Sequence, residues 1–269
     1  MEILGSEFFQ RALAGGLLIG ITAPLIGFFL VLRRLSMIGD ALSHVSIAGV
    51  ALGFLTGLYP MAAGLLFAIA ASFAIEKLRK AYKSYAELSI AIIMSGGVGL
   101  ASILFTLDRG FSVSIDSYLF GSIYTLSASD LTTIAVVTAV ILIVIRSQIK
   151  ELFLLTFDED AAAVSGLPVR FYNVMISVLT ALVISVSIKI VGALLVSALL
   201  TIPAACGLLV GRSFRQSIVW VVVIGEFAVI AGLIVAGVWN LAPGGTIVML
   251  LIAFLLLMLA VKRGMKTSG

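Results

Sequence analysis

Four ionisable side chains lie within long apolar stretches: Asp40, His44, Lys189 and Glu226. A charge at the centre of a bilayer costs about 2.5–3.5 kcal/mol or more, so each of these groups needs a partner or a task. Asp40 and His44 stand four apart in the string Gly39-Asp-Ala-Leu-Ser-His44. A helix places two such residues on one face, one turn apart. A carboxylate oxygen and an imidazole nitrogen at that spacing form half of a site for zinc, manganese or iron. The same pair is also satisfied by an internal Asp–His hydrogen bond, and the spacing is compatible with both readings. Lys189 lies where an apolar run reverses, and its simplest role is a side chain snorkelling to the outer interface. Glu226 could face a bundle interior and pair with a serine or a backbone carbonyl, or it could serve a proton path.

Other chemistry is excluded. The chain has no G-x-x-x-x-G-K-[ST] phosphate loop, and the nearest string, residues 207–213, has the wrong spacing and no lysine. Any nucleotide-driven work must therefore come from a partner chain, and this chain is not expected to be an enzyme. A single histidine and scattered serines do not compose a nucleophile, a base and an orienting acid. The lone Cys206 rules out an intrachain disulfide and a cysteine-cluster metal site.

The elements that must position these residues are transmembrane helices. Of the 269 residues, 62% are hydrophobic and 11% charged, against roughly 25% charged in a soluble domain. The fold class is all-α: a polytopic helical bundle of eight to nine spans, in which every backbone polar group is satisfied within its own helix. Spans fall near residues 11–32, 37–57, 60–76, 88–107, 131–146, 170–188, 190–210, 216–238 and 244–261. Only Lys189 and Gly192 mark a reversal within 170–211, so a broken or re-entrant helix is the alternative there. The first ten residues contain two acids and no base, unlike a cleavable signal peptide. With the N-terminus outside, all basic residues but Arg11, Arg109 and Lys189 fall on the inner face, as the positive-inside rule requires. The net charge of +4 is thereby a topology signal, and nucleic acid is not among the expected partners. Outside, residues 108–130 contain Phe111, Tyr118, Leu119, Phe120 and Tyr124, which suit a short interfacial helix. Inside, the loop at 151–168 has acids at a helix start, Asp158 to Asp160, and a stop at Gly166 and Pro168. Such a loop either merely connects two spans or docks a cytoplasmic partner.

The string RRLSMIGDALSHVSIAGVALG, residues 33–53, closely resembles the signature of the zinc/manganese permease family of ABC importers. IVGALLVSALLTIPAACGLL (190–209), LAPGGTIVMLL (241–251), DSYLFG (116–121) and FDEDAAAVSGLPV (157–169) resemble further strings of that family in the same order. The resemblance implies one permease domain over residues 1–269, of the large-bundle importer type, in a multi-pass arrangement in the cell membrane. It implies a second copy of the chain in a homodimer, cytoplasmic ABC ATPase subunits below and an extracytoplasmic metal-binding protein above. No permanently bound cofactor is implied, only a transported zinc, manganese or iron ion. Asp40 and His44 are then the metal-contacting residues, and Asp158, Glu159, Ala162, Gly166 and Pro168 belong to the ATPase-docking loop. By this resemblance some zinc-handling relatives carry a histidine near Met94-Ser95-Gly96-Gly97, and its absence here counts against zinc without establishing manganese or iron. The competing functions are a proton-coupled secondary metal transporter, with Asp40, His44 and Glu226 as relay, and an ABC permease for a metal chelate.

Overall fold

Hydrocarbon offers no hydrogen-bond partners, so an apolar chain of this length resolves into helices that satisfy their own backbones. The computed structural model describes residues 6–82, 85–107 and 115–267, and among them it contains helices and no strand. In chain order these are α1 (Glu7–Leu32), α2 (Met37–Thr56), α3 (Pro60–Ala81), α4 (Ala86–Leu107), α5 (Ile115–Phe120) and α6 (Ala128–Ser147). They continue with α7 (Ile149–Phe157), α8 (Glu159–Val164), α9 (Val169–Val191), α10 (Val196–Val210), α11 (Phe214–Trp239) and α12 (Pro243–Thr267). Eight of them, all but α5, α7, α8 and α10, are long and apolar enough to cross a membrane.

Packing divides the bundle into two groups. In one, α2 lies against α3 and α4; in the other, α1, α10, α11 and α12 pack together; α9 bridges them by touching α1, α2, α3 and α6. The most buried spans are α1, α2 and α9, whereas α4 and α12 are mostly exposed at the periphery. Glycines set the closest approaches. A Cβ at Gly27 of α1 would collide with the Leu200 carbonyl of α10, and one at Gly97 of α4 would lie 2.9 Å from the Val45 backbone nitrogen of α2.

The span expected over 190–210 is corrected to a broken helix. Helix α9 stops at Gly192, whose φ of +86° no β-carbon favours, and α10 has only 15 residues. At 1.5 Å per residue it covers about 22 Å, short of the ~30 Å hydrocarbon core. The break holds because the expected outer helix, α5, supplies the missing partners. The N–H groups of Ala193 and Leu194 donate to the carbonyls of Tyr118 and Leu119 at 2.9 and 3.2 Å, and the Ser122 N–H donates to the Lys189 carbonyl at 3.0 Å. Phe111, also expected in that outer helix, lies outside the described residues.

The connection between α6 and α9 holds two short helices. The predicted start is realised: the Asp158 side chain caps α8 by accepting from the Ala161 N–H at 2.8 Å. Gly166 ends the turn with a φ of +84°. The preceding helix α7, with Leu152 and Leu155 buried, was not anticipated from the sequence.

Candidate functional site

Helix α2 starts just after the α1–α2 turn, and Gly39 lets it approach Leu200 of α10. One face of its first turns therefore looks onto the N-terminal half of α10. Between them lies a cavity of about 390 Å3 lined by Ser36, Met37, Asp40, Ser197, Thr201 and Ile202. Among the described residues Asp40 is the only charge on that wall, accompanied by three hydroxyls and a thioether. His44 follows one turn along the same helix and is partly buried. Among the described residues the two side chains make no hydrogen bond to each other or to any other group, so the internal Asp–His bond considered above is not formed. Their oxygen and nitrogen donors are left for another ligand. Ser197 and Thr201 were not identified from the sequence, although their i, i+4 spacing within an apolar string is a signal of the same kind as that of Asp40 and His44.

No cluster of three or more His, Cys, Asp or Glu forms among the described residues. One chain thus brings two strong metal donors to this wall, half the complement of a closed tetrahedral site. In the α4 stretch Met94 to Gly97, Gly97 comes up against α2 at Val45, the residue after His44 in sequence.

Lys189 and Glu226 take places of their own. The snorkelling expected of Lys189 is corrected: its Nζ lies 2.6 Å from Oδ2 of Asp130, which is fully buried at the start of α6. With Asp130 buried, the ammonium meets a carboxylate that would otherwise stand as an uncompensated buried charge. Tyr59 donates its hydroxyl to the same carboxylate, and the Ser127 hydroxyl donates to it at 2.6 Å. Burial, and then the hydrogen bond to Asp130, raises the Tyr59 phenol above its ordinary range. Burial likewise pushes Tyr118 up to about 12. Both phenols therefore stay protonated, and the Asp130 cluster ties the α2–α3 turn, α6 and α9 together. Glu226 does not find the serine or carbonyl partner considered for it. It packs against Gly20 of α1, and its buried Oε2 has no hydrogen-bond partner among the described residues.

At the opposite end of the bundle, Arg33 of the α1–α2 turn is buried, with 4% of its side chain exposed. It donates to Asn173 of α9 at 2.5 Å and pairs with Glu159 of α8 at 3.5 Å, and Asn173 donates to Glu159 at 3.2 Å. Burial pulls the guanidinium below its ordinary pKa, and Glu159 opposes that shift. On α8 itself, Ala162 is fully buried against the bundle, whereas Val164 is 90% exposed. Asp158, Gly166 and Pro168 shape the turn on either side of that helix and are exposed.

Comparison with known proteins places this arrangement. The model of the ABC 3 transport family matches residues 5–262. The chain belongs to that family. It is 31% identical over 243 residues to the manganese import system permease protein ScaB of Streptococcus gordonii, covering 90% of this chain and 87% of ScaB. It is 30% identical over 255 residues to the high-affinity zinc uptake system membrane protein ZnuB of Haemophilus influenzae, covering 95% and 97% of the two chains. Among solved structures, PsaBC from Streptococcus pneumoniae in complex with Fab matches with a TM-score of 0.85 and 32% identity, over 95% of this chain and 92% of that one. As an ABC 3 family member the chain is a multi-pass permease subunit of an ABC transporter in the cell membrane, and the bundle described above is that of a permease.

Proposed function

We propose that this permease carries manganese or zinc into the cell, with Asp40 and His44 as the residues that meet the ion. The observation that carries the proposal is the pair itself: two unpartnered donors on one face of α2, beside the Asp40 cavity that hydroxyls of α10 complete. Manganese and zinc are the cargoes of the named relatives. Iron has only the donor chemistry behind it. Two donors per chain suit an ion that must be released after passage, and a second copy across a two-fold axis would bring a matching pair. A chelate permease would need a wider and less charged path than this wall offers. A proton relay would need contact between Glu226 and the Asp40–His44 pair, yet Glu226 faces α1 instead.

The drive comes from cytoplasmic ABC ATPases that engage α8, and an extracytoplasmic metal-binding protein delivers the ion. Basic residues concentrate at the end where α7 and α8 lie, which makes that end the inner one. The Arg33–Glu159–Asn173 link supports the coupling, because it joins the docking helix to the turn from which the metal-bearing helix α2 starts. A shift of α8 is thereby transmitted to α2 within two residue contacts. In metal-starved cells, Asp40→Asn and His44→Ala are each expected to abolish manganese or zinc uptake while the protein accumulates normally. Uptake at the original rate by both variants would remove the pair from the transport path.

A further inference from the structure

The end of α6, the start of α7 and the start of α11 enclose a groove of about 630 Å3 that opens on the side of the bundle. That volume lies within the ~300–1,000 Å3 of small-molecule sites. Its walls are apolar, with Leu25 of α1, Leu142 and Ile143 of α6 and Val219 of α11, and its rim is basic, with Arg146 and Arg215. An adjoining hollow shares Ile149, Arg215 and Ile218 with it and adds Lys150 and Ser213. None of the described lining residues is acidic. Arg146, Lys150 and Arg215 are all exposed, and among the described residues none of the three makes an ion pair or a side-chain hydrogen bond. Glu151, next in sequence to Lys150, lies instead beside Tyr172 of α9.

Helix α11 adds to the imbalance. Its first turn holds Arg215 and no acid, although the positive end of a helix dipole favours anions and opposes cations. Three uncompensated cations and a helix N-terminus thus converge at the mouth of an apolar groove. We propose that this groove binds one anionic phospholipid. Its phosphate sits among Arg146, Lys150, Arg215 and the N-terminus of α11, and one acyl chain lies along the wall formed by α1, α6 and α11. A zwitterionic lipid supplies no net charge to the rim, and free phosphate supplies no tail for the groove.

Native mass spectrometry of the detergent-solubilised full chain tests this, with phosphatidylglycerol and phosphatidylcholine of equal acyl length titrated in parallel. The first phosphatidylglycerol is expected to bind with about a tenfold preference or more, since each basic residue at a membrane surface is worth roughly fivefold in affinity for an anionic lipid. The variant Arg146→Gln/Lys150→Gln/Arg215→Gln, whose exposed positions leave the fold intact, should lose that preference. Val219→Trp, which keeps the charges and fills the groove, should weaken binding of both lipids. Excess inorganic phosphate should displace neither. Equal retention of the two lipids, a preference that survives the triple substitution, or displacement by phosphate alone would overturn the proposal.

Discussion

An ionised carboxylate buried in a membrane protein needs its charge met. Asp130 is met three times over, by Lys189, Tyr59 and Ser127. Lys189→Met is therefore expected to leave an unpaired charge in a fully buried place and to destabilise the bundle by about 3–5 kcal/mol. The double variant Lys189→Met/Asp130→Asn should recover most of that loss. Thermal unfolding in detergent measures both, and a Lys189→Met protein as stable as its parent would contradict the role given to the pair. Asp130 was not legible in the sequence as a buried charge, because it sits at a helix start with Ser127 three residues before it. That pattern reads as an ordinary capping box, which it also is. Its ammonium partner lies 59 residues away, a distance over which no local pattern speaks. Asp40 and His44 were legible for the opposite reason, since their relation is carried entirely by one helix.

Helices with regular apolar faces and clear caps were readable, and those that depend on a distant neighbour were not. The boundaries of α2, α6 and α11 fall close to those expected, because turns with Gly57, Ser127 and Ser213 punctuate them. The break between α9 and α10 needs carbonyls from α5, 75 residues earlier, so the sequence could suggest an interruption there without deciding it. The inner helix α8 shows both kinds of information. Its capping acid and stop are local, but the direction of its faces is set by the bundle, which buries Ala162 and leaves Val164 exposed. The two residues should therefore respond differently. Val164→Trp is expected to prevent co-purification of the ATPase or to leave its hydrolysis uncoupled from transport, with the permease itself as stable as before. Ala162→Trp overpacks a filled position and should lower permease stability by roughly 1–3 kcal/mol. Normal coupling in the Val164 variant would leave α8 as a connector only.

At the scale of the whole molecule, the wall that bears Asp40 and the helix α8 belong to different elements that are joined through the α1–α2 turn. The Asp40 cavity lies between α2 and α10, and the proposed docking helix α8 lies at the inner end. The Arg33 cluster connects that end to the start of α2. Alternating access requires that nucleotide-driven movement of the ATPases be felt at the ion's wall, and a buried guanidinium held by two elements is suited to carry it. This coupling also separates the account from a secondary transporter, which would need no ATPase at all. The direct measurement is uptake of radioactive manganese or zinc into proteoliposomes that contain the permease, its ATPase and its metal-binding protein. The account predicts accumulation that requires ATP inside the ATPase-bearing compartment, stops with vanadate and is lost with Asp40→Asn. Accumulation driven by a proton gradient in the absence of ATP would contradict it.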